Sequence, residues 1–435
     1  MSSRTIKVEY LARVEGEGQL YIRIKDNKVK NARLKIYEPP RFFQAFLRGR
    51  SHSEAPDITA RICGICPVSH QVTTAQALEN AFGISVTGQL RALRRLLVCG
   101  EWIESHVLHI FMLHAPDFLG YESAIHMAKD HPEVVEAALK LKKLGNNIVK
   151  ILGGREIHPV NVRVGGFYKL PDKNELRDLG EELNSGLDTM TDMVKLLSSF
   201  DYPDFEQDYL FVSLRHPDEY PFNEGQVVSS TGLDIAAGEY EQHFSEVQVA
   251  HSTSMHSYIN GQGPYLTGPL ARLNLNRGML SGRAAAAAQM CGLNSVCNNP
   301  FRSILVRAVE TVYAFEEAVR IIKEYEVPER PAYKVEPCRG TGFSCTEAPR
   351  GVLFNRISTD ENGIILQANI VTPTAQNQAI IESDLLNFAG KYITLPDEEL
   401  KWKCEQAIRN YDPCISCSTH FLALEVERER NEPKE

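Results

Sequence analysis

Basic charge is scarce in this chain. It has 47 Lys and Arg against 56 Asp and Glu, a net charge of −9, which argues against a nucleic-acid binder because phosphate contacts need clustered cations. No apolar run reaches the roughly 18 residues that a membrane span requires. The N-terminus, MSSRTIKVEYLARVEGEG, lacks an apolar signal-peptide core. No GxGxxG motif marks a dinucleotide fold, and there is no internal repeat or clean linker. Reduced-looking cysteines without an export signal favour a cytoplasmic protein, where thiols are kept free.

What is present is ordinary globular material: 43% hydrophobic and 24% charged over 435 residues, enough for a large buried core. YIRIKDNKVKNARLKIYE alternates apolar and polar residues around Asp26-Asn27, which predicts a small N-terminal antiparallel sheet. From Pro39 to about Leu152 the texture is helical, with a long stretch at 88–114 and a helix starting near Pro132. Further helices are predicted at about 173–200, 283–290 and 303–325. Residues 201–265 read as mixed and 326–380 as loops and strands, followed by terminal helices in DLLNFAGKY and EELKWKCEQAIRNY. The expected fold class is α+β, mainly helical with smaller β excursions. Residues 1–420 are expected to form one large helix-dominated body, and 421–435 a charged tail.

Two Cys-x-x-Cys pairs lie near opposite ends of the chain: Cys63/Cys66 in RICGICPVSH and Cys414/Cys417 in DPCISCSTH. Structural zinc draws its four thiolates from knuckles roughly 15–20 residues apart, whereas hundreds of residues intervene here. A thioredoxin-type pair would explain one motif and not two. A disulfide framework is disfavoured without secretion. A catalytic transition-metal centre closed by both ends of the chain is the reading that uses all four thiolates, because soft thiolates select nickel, iron, copper or zinc.

RxCGxCxxxH followed by DPCxxCxxH resembles the large subunit of nickel–iron hydrogenases. The segments RVEGEG (13–18), LHAPD (113–117), EAPRG (347–351) and VTPTAQN (371–377) appear in that family's order. RVEG-x-G and PRFF-x-x-F look most like the cytoplasmic, cofactor-coupled branch, including the sulfhydrogenase type. The resemblance implies that Cys63 and Cys414 are terminal nickel ligands and that Cys66 and Cys417 bridge nickel to an iron carrying cyanide and carbon monoxide. Arg350 would hold its guanidinium over the open side of the metals, with Asp117 and Asp412 as nearby carboxylates. Glu15 would take the proton from a terminal cysteine. His70 would donate to a bridging sulfur, Thr374 would contact a cyanide, and Pro349 is carried over as a cofactor-binding residue.

A magnesium site near His420 and the Ile370 carbonyl is implied as well, with Gln44 where the family usually has a glutamate. An amide oxygen coordinates without bringing charge. The family's precursors are usually cut after the position of His420, so FLALEVERERNEPKE is either a maturation peptide or a retained tail. The implied activity is reversible cleavage of H2 to protons and electrons. Cys99, Cys291, Cys297, Cys338, Cys345 and Cys404 form no further four-cysteine cluster motif. Electrons would therefore leave through an iron–sulfur small subunit, and NAD(P) or flavin chemistry would belong to diaphorase subunits. The competing readings are a non-catalytic relative of the fold and a zinc-stabilised scaffold in a redox complex.

Overall fold

A computed structural model describes residues 3–37 and 42–419. It begins with the expected sheet: Ser3–Val8, Gly18–Lys25 and Lys28–Ile36 form an antiparallel meander. Asp26 and Asn27 turn it with φ of 52° and 55°, the left-handed pair that a two-residue hairpin requires and that Asp and Asn tolerate. Its inward face (Ile6, Val8, Leu20, Ile22, Leu34) joins the main core.

That core is a bundle of long helices: Gly88–Val107, Pro132–Gly153, Lys173–Ser198 and Ser303–Lys323. The first two approach closely because each offers a glycine to the other. A Cβ at Gly145 would sit 2.7 Å from the Gly100 carbonyl, and one at Gly100 would sit 2.8 Å from Ile148 Cβ. The first helix continues through a π-helical turn, Leu108–His114, into Ala115–Leu119. By length and composition this 88–119 stretch could cross a bilayer, but 83% of its most apolar window is buried inside the protein, so it serves as a core helix.

A second antiparallel meander, Gly340–Ala348, Gly351–Thr359 and Ile365–Val371, packs against the helix Pro67–Ala81. The turn between its first two strands carries Pro349 and Arg350. The sequence pattern predicts loops and strands up to residue 380. Instead a helix starts at Pro373 and continues to Lys391. Thr372 is extended, Pro373 occupies the first turn where its missing N–H costs nothing, and the polar run that looked loop-like is buried and bonded. Gln376 donates to the Val352 carbonyl (2.6 Å) and Asn377 to the Thr267 carbonyl (3.2 Å). The helix Asp397–Arg409 then leads into the second cysteine pair. Both His420 and the tail 421–435 lie outside the described residues.

Candidate metal centre and active site

The two ends of the chain meet. Glu15 pairs with Cys414 as an isolated parallel bridge, and Ile415 N donates to the Glu15 carbonyl at 2.9 Å. Cys66 caps the N-terminus of the Pro67–Ala81 helix, and Cys414 that of the short turn Ile415–Ser418. The N–H groups that reach a sulfur come from the loop before the first helix, where Ile65 N and Cys66 N donate to Cys63 Sγ at 3.2 and 3.3 Å, which favours a thiolate there.

All four sulfurs are buried and converge. Cys63 Sγ lies 3.4 Å from Cys414 Sγ, Cys66 Sγ 3.7 Å from Cys417 Sγ, and Cys414 Sγ 2.8 Å from Cys417 Sγ. These gaps exceed a disulfide bond of about 2.05 Å, and all ten cysteines are free. The thiols cannot all ionise together without a counter-charge. Hydrogen bonds from Cys414, Cys417 and Cys66 hold Cys63 well below the ordinary thiol value, whereas burial drives Cys414 and Cys417 well above it. A cation among them would resolve that conflict, because metal binding deprotonates its thiol ligands. The donor set therefore fits a soft transition metal.

Arg350 covers the cluster from the turn of the second meander. Its Nε donates to the Asp412 carbonyl (2.7 Å) and its Nη2 to Asp412 Oδ1 (3.1 Å), while Nη1 has no hydrogen-bond partner. Burial works against its charge, but Asp412 and the cysteine sulfurs outweigh burial and raise its pKa well above the usual value. Asp412 adopts φ 49°, a conformation that Asp tolerates, and presents both its carbonyl and its carboxylate to the arginine. Arg272 fixes the other side of this turn, donating to the carbonyls of Ala348 and Pro349 (both 2.8 Å) and pairing with Glu310 and Glu347.

Asp117 has other partners than Arg350. It receives a two-pronged bond from Arg409 (2.6 and 2.8 Å) and a third contact from Arg13. Arg409 also donates to the Ala12 carbonyl (3.0 Å). This cluster ties RVEGEG and LHAPD to the helix preceding DPCISC.

Glu15 Oε2 accepts from Cys414 Sγ at 3.1 Å and from Ser416 N at 3.0 Å. Thr374 Oγ1 accepts from Cys414 N at 3.0 Å, which leaves the hydroxyl proton free to donate. His70 is buried on the helix after Cys66 with Nδ1 unpartnered, and desolvation pushes its pKa down to about 4. Gln44 Nε2 donates to the Ile370 carbonyl at 3.3 Å. Both residues, with Cys417 and Thr419, line a cavity of about 40 Å³.

Glu101 escaped the sequence reading. It lies inside the apolar helix 88–107 and accepts from Val68 N (2.6 Å), Ser69 N (3.1 Å) and the Ser69 hydroxyl. Burial raises its pKa to about 8. It satisfies the start of the helix that follows Cys66. Only the three-dimensional packing of the two helices reveals this role, because a glutamate within a helix carries no local signal for it.

Four buried cysteine sulfurs under a fixed arginine, with a carboxylate against one of them, define a donor set for a thiolate-bound transition metal. Residues 41–137 match the family model described as nickel-dependent hydrogenase. The chain is 36% identical to sulfhydrogenase 1 subunit alpha of Pyrococcus furiosus, over 96% of this chain and 98% of that one. It is 27% identical to the NAD-reducing hydrogenase HoxS subunit beta of Cupriavidus necator, over 97% and 95%. A crystal structure of NAD+-reducing [NiFe]-hydrogenase in the H2-reduced state superposes with TM-score 0.87 at 26% identity, over 96% of this chain and 99% of that one.

The chain belongs to the nickel–iron hydrogenase large-subunit family. It is the catalytic subunit of an oxidoreductase acting on H2, and its clustered cysteines Cys63, Cys66, Cys414 and Cys417 fit a nickel–iron site. Both named relatives are single subunits of multi-subunit enzymes.

Proposed function

We propose that this subunit splits H2 reversibly, sends the proton out through Cys414 and Glu15, and passes electrons through an iron–sulfur small subunit to diaphorase subunits and NAD(P). The observation that carries the proton route is the 3.1 Å contact from Cys414 Sγ to Glu15 Oε2, within reach for direct transfer. When bound, the nickel–iron pair, with cyanide and carbon monoxide on the iron, supplies the electrophile that polarises H2 and the orbitals that take its electrons.

The protein supplies the rest. Cys63, Cys66, Cys414 and Cys417 would hold the metals, Cys63 and Cys414 as ligands of nickel and Cys66 and Cys417 as ligands shared with iron. Ile65 N and Cys66 N both donate to Cys63 Sγ, at 3.2 and 3.3 Å, which fixes that sulfur's direction. The Cys414 thiolate accepts a proton and Glu15 relays it, held in place by Ser416 N. The free Nη1 of Arg350 is the donor aimed at the reacting space, and Asp412 keeps the guanidinium plane fixed. His70 and Thr374 would orient the sulfur and diatomic ligands, and Pro349 would line the site beside Arg350.

Gln44 and Ile370, with His420 from beyond the described residues, make up the reading of a divalent magnesium site. Support comes from the small cavity that Gln44 and Ile370 share. Coupling to NAD(P) would support a cytoplasmic location, where that cofactor pool lies. Measuring hydrogen–deuterium exchange and H2 uptake in a Glu15→Gln complex tests the route: both should collapse with nickel retained, and normal exchange would sink it.

A further inference from the structure

Away from the cysteines, a ring nitrogen of His251, a ring nitrogen of His256 and a carboxylate oxygen of Glu382 lie within 4.8 Å of one another. They come from three segments. His251 lies in the loop after the strand Phe244–Val247, His256 opens the strand His256–Ile259, and Glu382 sits midway along the helix Pro373–Lys391. His251 Nε2 is 2.7 Å from Glu382 Oε1, and that oxygen also accepts from Leu34 N at 2.9 Å. The two imidazoles stand edge to face, 5.8 Å apart at 85°. His256 is 4% exposed, and its Nε2 has no hydrogen-bond partner. Burying such a nitrogen unsatisfied is costly, and coordination would remove the cost.

We propose that His251, His256 and Glu382 form a second metal site, taking a divalent transition ion of the zinc type. Two imidazoles and a carboxylate suit zinc and its first-row neighbours and disfavour magnesium and calcium, which want oxygen. The ion replaces the proton shared by His251 and Glu382, and rotation of the side chains brings three bonds of about 2.0–2.2 Å within reach. Its role is structural. The loop it fastens also donates Thr253 N to the Ile36 carbonyl (2.8 Å) and pairs Ser254 with Thr419, two residues after Cys417. Holding this loop to the helix and the first sheet braces the segment that closes the nickel–iron centre.

The test uses the assembled enzyme with its nickel–iron centre filled, so that the cysteines are occupied. Wild type, His256→Gln and Glu382→Gln are incubated with zinc chloride and exchanged into metal-free buffer, and zinc and nickel are counted per chain. Wild type should keep about one zinc, and each variant at least tenfold less with its nickel and H2 uptake retained. The zinc absorption edge of the wild type should show imidazole nitrogen and oxygen neighbours and no sulfur. Equal zinc in wild type and variants, or a sulfur shell, would overturn the site. If a variant fails to load nickel, the wild-type neighbour shell alone decides.

Discussion

Glu15 Oε2 and Cys414 Sγ are 3.1 Å apart although 399 residues separate them. The contact is made because the first loop of the chain and the last cysteine motif meet in an isolated parallel bridge, so base and thiolate are placed by backbone rather than by flexible side chains alone. Replacing Glu15 with Gln keeps the shape and removes the base. H2 uptake and hydrogen–deuterium exchange should fall by about 10²–10⁴-fold, the usual worth of a positioned proton-transfer group, with nickel content by mass spectrometry unchanged.

Arg350→Lys tests the role of the fork. A lysine keeps the charge but cannot hold the Asp412 carbonyl and carboxylate while leaving one nitrogen aimed inward. H2 uptake should drop by about 10²-fold, in line with losing one preorganised donor, with nickel and iron retained. Activity within twofold of wild type would remove Arg350 from the chemistry.

Asp117 is predicted to matter for stability more than for turnover. Its carboxylate is shared by Arg409 and Arg13, all of them largely buried. Asp117→Asn leaves two cations uncompensated, a loss of about 3–5 kcal/mol for a broken buried pair. Thermal unfolding of the complex should begin several degrees lower; an unchanged transition would show that the cluster does not tie the two ends together.

Glu310 sets an acid limit. Burial alone would raise its pKa, but Arg272 prevails and holds it at about 2, below the ordinary 4.5. A carboxylate whose folded pKa is depressed stabilises the fold above its unfolded pKa and loses that contribution as pH falls toward the folded value. The melting-temperature advantage of wild type over Glu310→Gln should therefore be full above about pH 4.5 and shrink as pH drops toward 2. An advantage that grows on acidification would reverse the assignment.

Gln44→Glu should restore a charge beside the Ile370 carbonyl, where the amide now donates a hydrogen bond. Magnesium retained per chain after exhaustive dialysis should rise at least tenfold if this cavity holds the ion, because hard cations gain most from carboxylate ligands. No change would separate Gln44 from any divalent site.

The sequence made the chemistry more legible than its supports. Two Cys-x-x-Cys motifs announce themselves by local spacing, and Asp26-Asn27 does the same for the hairpin. Arg409, Arg272 and Glu101 could not be read in this way. Their partners are 292, 75 and 33 residues distant, and a charged residue within a helix looks alike whether solvated or locked in a buried ion pair. VTPTAQN misled on structure for a related reason: its Pro, Thr and Asn are poor helix formers in isolation, and the segment is helical here with Gln376 and Asn377 donating to the Val352 and Thr267 carbonyls. Asp117 shows the limit of motif transfer, since its place in LHAPD gave no hint that Arg409 and Arg13 would claim it.

The claim that both ends of the chain close around one nickel is tested most directly by nickel K-edge absorption on the purified complex. Four sulfur neighbours in wild type, reduced in number by Cys63→Ser and Cys414→Ser alike, are the result expected. Nickel surrounded by nitrogen and oxygen alone, or a cysteine cluster filled with zinc and free of nickel, would contradict the account.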